Sequence, residues 1–487
     1  MSPFGKSVPM KTMNSRRLNL PFSEKIFPPS DRHAAYVVGG AVRDALLGGA
    51  PLDYDIVVSG DCRAFARETA ANISGRLVEL GKPGQSIYRI VTDAYILDIT
   101  PLAEGTLERD LAKRDFTIDA LAYDFRSTRM IDLFSGLDDL ATGKIRMLAP
   151  SVFQNDPVRL IRAYRLANTL GFEIEPKTIA QIRQDAPLIR SSAGERIREE
   201  LVRILDASES QTTLKHMSES GLLAAILPEL TALRKCRADR FHALDAYTHS
   251  LRAYARLEHM LNHIASYLPL EAVRERKFPE TGSKSMLKFA ILVHDIGKAR
   301  TESTDAQGRI HFYGHAQKSA QMFSDIRKRL KLSNHDAEYI HFIVKNHLRP
   351  LHLYSALRGK PVPEGIPGKT TVRFFMKCGP RTPDLLLHSL ADMAAKSEKE
   401  DRRERDFTRF VTQVLQAYFE HHKPLLSEPP LLTGHDLIRT FGLEPSPLFK
   451  MILTRVETER LSGRLRTKPD AEHWVEAFLE KRKPKKT

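Results

Sequence analysis

Two aspartates one residue apart, in Leu52-Asp-Tyr-Asp-Ile-Val-Val58, follow closely on a glycine pair and an Arg-Asp in Tyr36-Val-Val-Gly-Gly-Ala-Val-Arg-Asp-Ala-Leu-Leu-Gly48. Side chains alternate along a strand, so Asp53 and Asp55 project from one sheet face and can share a cation. Mg²⁺ commonly takes one or two carboxylates plus substrate phosphates, which makes this pair a natural nucleotidyl-transfer metal site. Asp98 interrupts the apolar run Ala94-Tyr-Ile-Leu-Asp-Ile-Thr100. A lone charge there is costly unless paired with a metal or a base, so Asp98 is the expected third ligand. Gly39 and Gly40 end one strand and open toward a helix expected near Val42, where backbone N–H groups can approach a triphosphate without a Cβ in the way. Arg43 would lie beside the same anion. Alone, Gly-Gly is a turn and Asp-x-Asp a strand end; their order and spacing make the signal.

A second set of chemically able residues runs through Thr248-His-Ser250, Leu292-Val-His-Asp-Ile-Gly-Lys298, Gly314-His315, Lys345-Asn-His347 and Ala391-Asp-Met393. Most lone histidines are surface or core residues, and His33, His259 and His421 are read that way. His294 and Asp295 differ: an adjacent imidazole and carboxylate end an apolar helix, with Gly297 read as the helix stop, and present both ligand types to one point. A helical scaffold that binds no metal competes with this reading.

These residues must be held by two kinds of element. Residues 36–38, 54–58, 89–92, 95–100 and 120–123 read as strands among helical stretches. From Val152 onward strands almost vanish and apolar residues recur at helical spacing. Pro150 and Pro157 punctuate one junction; Pro228 and the basic patch Arg234–Arg240 suggest another. Arg358–Lys369 reads as an exposed loop, Leu426–Pro430 as a linker, and the basic tail at 481–486 as a solvated end.

A chain of 487 residues is too long for one ordinary core, so several domains are expected. The excess of 75 Lys plus Arg over 60 Asp plus Glu leaves +15, which favours polyanions. Cys62, Cys236 and Cys378 form no Cys-x-x-Cys pair, which argues against a disulfide framework and for a reducing cytoplasm. Leu18–Phe22 is too short for a signal-peptide core, and the apolar run Met286–Val293 falls well short of a membrane span, so no membrane role is expected.

The first constellation resembles the polymerase beta nucleotidyltransferase superfamily, and within it the bacterial class II tRNA nucleotidyltransferase and poly(A) polymerase family, which opens with Gly-Gly-x-Val-Arg-Asp and then Asp-x-Asp. Lys113-Arg-Asp-Phe-Thr-Ile-Asp-Ala-Leu-Ala122 is similar to the family block that contacts the nucleotide sugar, implying that role for Arg114, Asp115 and Asp119; Lys113 stands for an Arg and Asp119 for an Asn. Phe153-Gln-Asn-Asp-Pro-Val-Arg159 resembles the Glu-Asp-x-x-Arg template that reads the incoming base, with Asn155 in place of Glu. Asp156 and Arg159, three apart, are expected to share a helix face and bind the Watson–Crick edge of cytosine or adenine, and Arg162, one turn on, is carried over as a nucleotide contact. Gly194-Glu-Arg-Ile-Arg-Glu-Glu200 is similar to the last neck motif, where Glu195 and Arg198 are expected to hold helices together. The second constellation resembles the HD phosphohydrolase superfamily, implying a metal site of His249, His294, Asp295 and Asp392, extended by His315 and His347.

The resemblance implies a multidomain α+β fold: an N-terminal nucleotidyltransferase α/β head with a mixed sheet, followed by all-helical neck, HD and tail domains. The expected boundaries are a variable segment at 1–30, head at 31–148, neck at 149–235, HD domain at 236–425 and a small C-terminal domain with a basic tail at 426–487. The implied activity is addition of CMP and AMP from CTP and ATP to the 3′ end of tRNA, with Mg²⁺ in the head and a second divalent centre, of Mn, Ni, Fe or Mg, in the HD domain. A poly(A) polymerase acting on RNA ends, a CC-adding or A-adding partial enzyme, a protein that is mainly an HD phosphohydrolase, and a non-enzymatic RNA-binding scaffold remain alternatives.

Overall fold

The computed structural model of the protein describes residues 18–29, 33–81, 87–236, 245–268, 278–357, 367–397 and 401–482. The expectations for residues 1–17, for the basic patch at 237–240, for the loop at 358–366 and for the tail at 483–486 lie outside the described residues. The chain divides into two compact units, Met1–Ile226 and Leu227–Thr487.

The first unit begins with β1 (Ala35–Val38), α1 (Gly40–Leu46), β2 (Asp53–Val58), α2 (Cys62–Asn72), β3 (Arg76–Leu80), β4 (Ile87–Val91), β5 (Ile96–Pro101), α3 (Leu107–Ala112), β6 (Leu121–Asp124), β7 (Arg129–Asp132) and α4 (Gly136–Thr142). The seven strands form one sheet in the order β3-β4-β5-β2-β1-β6-β7. β2 and β5 run parallel and the other neighbours antiparallel, which is the mixed sheet expected. The sequence pattern predicts five of these strands. The two it lacks, β3 and β7, are the edges, where little surface is buried and charged residues such as Arg76, Glu79 and Arg129 blunt the alternation. Central β2 shows the opposite: Tyr54, Ile56, Val57 and Val58 are buried while Asp53 and Asp55 stay exposed. Phe22 and Phe27, ahead of the first strand, pack against Tyr54, Phe65 and Phe125.

Helices follow: α5 (Val152–Asn155), α6 (Arg159–Leu170), α7 (Pro176–Asp185), α8 (Gly194–Asp206) and α9 (Gln211–Glu219). α6 and α8 pack through buried Leu160, Ile161, Tyr164, Ile197, Leu201 and Ile204. Asp156 and Arg159 do not share a helix face. Asp156 is extended, at φ −151° and ψ 93°, between α5 and the start of α6, because the Pro157 ring disfavours helical geometry in the residue before it.

The second unit is helical: α10 (Ala246–Asn262), α11 (Lys284–Val293), α12 (His315–Arg329), α13 (Asn334–Asn346), α14 (Arg349–Leu357), α15 (Lys369–Cys378), α16 (Thr382–Ala394), α17 (Arg402–Ala417), α18 (Gly434–Phe441), α19 (Pro447–Leu461) and α20 (Lys468–Glu480). α11 is its axis. Every residue from Ser285 to Val293 is buried, flanked by α10, α13 and α16, and the one charge in the run, Lys288, bonds Glu258 at 2.6 Å. A separate small core of Leu432, Leu437, Ile452, Val456 and Val475 joins α18, α19 and α20. Gly297 is not the helix stop expected. α11 ends at Val293, and Gly297 sits in the next turn, where an added Cβ would lie 2.4 Å from the His315 carbonyl oxygen. Its missing side chain lets α12 press against that turn. No helix among the described residues is long and apolar enough to cross a membrane.

Candidate active site

In the first unit, the turn from β1 into α1 fixes the floor of a cleft. Gly39 takes φ +78°, and its N–H donates to the Leu121 carbonyl. A Cβ on Gly39 would lie 2.2 Å from Arg114 Nη1 and 3.5 Å from Asp55 Oδ2, so the guanidinium rests directly on the glycine beside the carboxylate. Only glycine allows both that φ and that contact. Arg114 Nε is buried without a hydrogen-bond partner, and Asp110 lies 3.5 Å from Nη2.

A cavity of about 320 Å³ at this point is lined by Gly40, Asp55 and Arg114, by Asp115 and Asp119, and by Arg159 and Arg162 from α6. Seven of the residues singled out in the sequence thus meet in one place. Asp55 keeps contact with solvent, yet the protein crowding it pushes its carboxyl up, opposed chiefly by Arg114. Asp115 is likewise raised, by burial and then by Asp119, while Arg162 at 3.1 Å pulls it down. Arg43 does not face the cavity as an open cation: it is buried and paired with Asp119 and Asp44. Burial works against its charge, but the two carboxylates outweigh it and its pKa is raised. The second oxygen of Asp119 is buried without a partner.

Asp53 and Asp55 project from one face of β2, and Asp98 stands in register with Asp55 on parallel β5. Both oxygens of Asp98 accept from Arg89, at 2.8 and 2.7 Å. The three carboxylates do not close on one point as the histidine clusters below do. The free hard donors here are therefore Asp53 and Asp55, a set that fits an oxygen-seeking divalent cation.

Arg159 and Arg162 also line a second cavity of about 200 Å³ together with Asp156 and Arg196. Arg196 of α8 grips Asp156 with a two-pronged bond, at 2.9 and 2.7 Å, whereas Arg159 stands 3.8 Å from the same carboxylate and donates to the Lys113 carbonyl. One turn on from Arg196, Glu200 accepts from Arg165 and so ties α8 to α6.

In the second unit the six expected ligands converge from five helices or their ends, α10, α11, α12, α13 and α16. His249 Nε2 lies 2.8 Å from Asp392 Oδ1, His294 Nε2 lies 3.2 Å from Asp295 and 3.4 Å from Asp392, and His315 Nε2 is 3.2 Å from Asp295 and 3.2 Å from His347 Nε2. Two triads, His249-His294-Asp295 and Asp295-His315-His347, share Asp295. His294, His315 and His347 each set Nδ1 2.7 to 2.8 Å from the carbonyl three residues earlier. A carbonyl only accepts, so Nδ1 carries the proton and Nε2 turns its lone pair inward, the orientation metal-binding histidines need. Burial opposes charge on His294, yet Asp295 and Asp392 raise its pKa to about 10, so the two carboxylates call for a cation at this point, which a proton on Nε2 or a metal ion in its place supplies. Lys298 at 2.6 Å from Asp295 supplies part of that positive charge. His388, with both ring nitrogens buried and unpartnered, packs 5.2 Å from the His294 ring and is pushed down to about 3 by burial and then by His294.

Family models match residues 35–146 as a poly A polymerase head domain, residues 171–233 as a probable RNA and SrmB-binding site of polymerase A, and residues 246–393 as an HD domain. An A-adding tRNA nucleotidyltransferase of Deinococcus radiodurans is 30% identical over 461 residues, 93% of this chain and 96% of that protein. The chain belongs to the tRNA nucleotidyltransferase and poly(A) polymerase family. A CC-adding tRNA nucleotidyltransferase of Thermus thermophilus is 31% identical over 454 residues, 91% of this chain and 93% of that one. The fold matches the Thermotoga maritima CCA-adding enzyme complexed with tRNA-CCA, with TM-score 0.60 and 22% identity over 92% of each chain. Within this family frame, Arg89 and Arg196 are the residues the sequence did not single out. Their signal, a lone Arg on a strand or helix, is shared by many surface residues and marks none of them out.

Proposed function

We propose that the head is a template-independent nucleotidyltransferase adding CMP and AMP to the 3′ end of tRNA in the cytoplasm. The observation that carries this is the joining, through Arg159 and Arg162, of a phosphate-and-sugar cavity beside Asp55 to a cavity holding Asp156. Arg114, lying on Gly39, holds the triphosphate; Asp115 and Arg162 face the sugar; Asp119 fixes Arg43 beneath them. Asp156 accepts from the exocyclic amino group of cytosine or adenine while Arg159 donates to the neighbouring ring nitrogen; uracil and guanine place a carbonyl before Asp156 and are rejected. Arg196 is a positioning residue that sets the plane of Asp156. The RNA 3′-hydroxyl attacks the α-phosphate in line, forming the new phosphodiester as pyrophosphate leaves. Asp53 and Asp55 would hold Mg²⁺, which supplies Lewis-acid stabilisation of the transferred phosphate when bound. Asp98, held by Arg89, adds negative charge beside them. In this reading residues 31–148 are the head, 149–235 the neck, 236–425 the HD domain and 426–487 the tail, preceded by a variable segment at 1–30.

Near-full-length relatives named for CC addition and for A addition favour a second reading, a partial enzyme of one or the other kind. The test is incorporation of each nucleotide, singly and together, into tRNA transcripts ending before, within and after CCA. CTP and ATP added and stopping at CCA supports the first reading; CC or A alone supports the second; long ATP-only tails overturn both.

For the second unit we propose a divalent metal centre held by His249, His294, Asp295 and Asp392 and extended by His315 and His347, serving hydrolysis of phosphate esters. The imidazole-rich donor set suits Fe or Ni better than Mg or Mn. Opening of RNA 2′,3′-cyclic phosphate ends to the monoester, or release of phosphate from 3′-phosphate ends, should be lost in His294→Ala and kept in Asp53→Ala; hydrolysis that survives His294→Ala refutes the assignment.

A further inference from the structure

We propose that Tyr313 is a base-stacking residue beside the histidine and aspartate cluster of the second unit, which makes a phosphorylated nucleoside the ligand of that site. The proposal deepens the hydrolytic reading above and rests on it. A cavity of about 1050 Å³ opens over Asp295, His315, His347 and Asp392. Pockets that enclose a small organic ligand run from roughly 300 to 1,000 Å³, so a phosphate group alone would fill little of this one. Among the described residues the only carboxylates lining it are Asp295 and Asp392, which belong to the proposed ligand set. Phe312, Leu348, Leu351 and Met393 give the wall an apolar part, and Lys345 and Arg349 a cationic one.

Tyr313 lines this cavity with 76% of its surface exposed. The chain reaches it from a hairpin of Ser303–Thr304 and Ile310–His311 and leaves it through Gly314, at φ +75°, into α12 at His315. The ring and a metal ligand are therefore fixed by one turn, two residues apart. The His311 ring backs that of Tyr313, with centroids 4.9 Å apart and planes 13° from parallel. Asp305 lies 2.8 Å from His311 Nε2 and accepts from Arg309 at 2.8 Å, which holds the histidine in place. One face of the tyrosine is thus covered and its plane set, while the other stays in water. A flat ring laid on such a preset face removes apolar area from water at little cost in side-chain order, which is how proteins hold nucleobases. On the same cavity, Lys345 and Arg349 form no ion pair among the described residues, and Arg349 is steadied by the Asn346 side-chain oxygen at 2.5 Å. Lys298 and Lys396, by contrast, are already paired with Asp295 and Asp392, at 2.6 and 3.6 Å. A sugar phosphate would use the two open cations and leave Tyr313 idle; a nucleoside phosphate uses both. A free nucleotide and the last residue of an RNA chain share this chemistry.

The test uses the full chain. Tyr313→Trp keeps the platform and makes it fluorescent, and the one native tryptophan, Trp474, gives a background read from the parent protein. Adenosine 3′-monophosphate should quench the added emission saturably, whereas ribose 5-phosphate, which has no base, should not. Adding Lys345→Gln/Arg349→Gln should weaken binding in that titration about 10-fold or more. An RNA hexamer ending in a 3′-phosphate, titrated alongside, distinguishes the sources by which ligand quenches at the lower concentration. In hydrolysis by protein loaded with Ni²⁺, Tyr313→Ala should lower the preference for adenosine 3′-monophosphate over ribose 5-phosphate, as a ratio of kcat/KM, by about 5- to 150-fold. The loss should appear in KM more than in kcat, and Tyr313→Phe should restore the preference. Tyr313 is exposed, so each variant should unfold at the parental temperature. No quenching by either nucleotide, equal quenching by ribose 5-phosphate, or a preference unchanged in Tyr313→Ala overturns the proposal. Hydrolysis lost in His294→Ala but indifferent to Tyr313→Ala would leave the hydrolytic reading standing and this proposal refuted. Absence of hydrolysis by the parent would refute that reading, and the quenching, which needs no turnover, would still decide whether Tyr313 stacks a base.

Discussion

The sharpest test of the base-reading account is Arg196→Ala. Arg196 meets Asp156 through two bonds of 2.9 and 2.7 Å, but its side chain is 54% exposed and that of Asp156 is 25% exposed. Solvent screening at that exposure limits the pair to about 1 kcal/mol. Removing it leaves Asp156 with Arg159 at 3.8 Å and free to turn. The cost falls on the bases that use Asp156 as an acceptor, so kcat/KM for CTP and ATP should drop about fivefold, the kinetic equivalent of about 1 kcal/mol. Uracil gains nothing from an oriented Asp156, so misincorporation of UMP should hold steady and the CTP-to-UTP ratio should fall by the same factor. Asp156→Ala removes the acceptor itself, a hydrogen bond to a charged group worth about 1.5 to 3 kcal/mol, or roughly 10- to 150-fold. The double variant should be no worse than Asp156→Ala, since Arg196 acts through that carboxylate. Arg196→Lys should recover little, because an ammonium cannot make the planar fork. The assay is single-nucleotide incorporation on a tRNA transcript, with thermal unfolding alongside. An equal fall for CTP, ATP and UTP, or additive losses in the double variant, refutes the reasoning.

Gly39→Ala sets a Cβ against Arg114 at φ +78°; the strain of about 1 to 2 kcal/mol and the displaced guanidinium should raise nucleotide KM about tenfold or more in steady-state assays, with far-ultraviolet circular dichroism unchanged. His422, its ring tilted against that of Phe375 at 4.8 Å, is pushed down to about 4 by burial, so only the unfolded chain takes its proton between pH 6.5 and 4. Its contribution is whole above pH 6.5 and falls as pH drops through that window, by at most about 3 kcal/mol; His422→Phe should flatten that part of a chemical-denaturation pH profile, and an unchanged profile contradicts the assignment. Lys288→Ala breaks the buried pair with the Glu258 carboxylate and should cost about 3 to 5 kcal/mol, whereas Lys288→Met/Glu258→Leu should return stability to within about 1 kcal/mol of the parent in the same assay.

The metal-ready carboxylates were readable because a strand records its two faces with period two: Asp53 and Asp55 alternate with buried Tyr54 and Ile56. The histidine cluster was readable by residue type but not by position, since its members come from α10, α16 and the ends of α11, α12 and α13, and only the resemblance joined them. Where one residue resets the backbone, spacing misled. Pro157 takes Asp156 out of the helix that its separation from Arg159 implies, and Gly297 serves a close approach of α12 and no helix end. Arg89 and Arg196 were illegible for a different reason. Their meaning lies in which carboxylate a long side chain reaches, 9 residues away for Arg89 and 40 for Arg196, and no periodicity encodes that.

The central claim is that Asp53 and Asp55 make the polymerising centre. The direct measurement is the rate of CMP and AMP transfer from α-labelled CTP and ATP to a tRNA transcript by Asp53→Asn/Asp55→Asn protein, whose exposed carboxylates can be replaced without disturbing the sheet. Loss of the charge that holds the catalytic cation should lower that rate about a thousandfold or more while RNA binding stays within about twofold of the parent. Transfer at the parental rate would contradict the account and place the chemistry elsewhere in the chain.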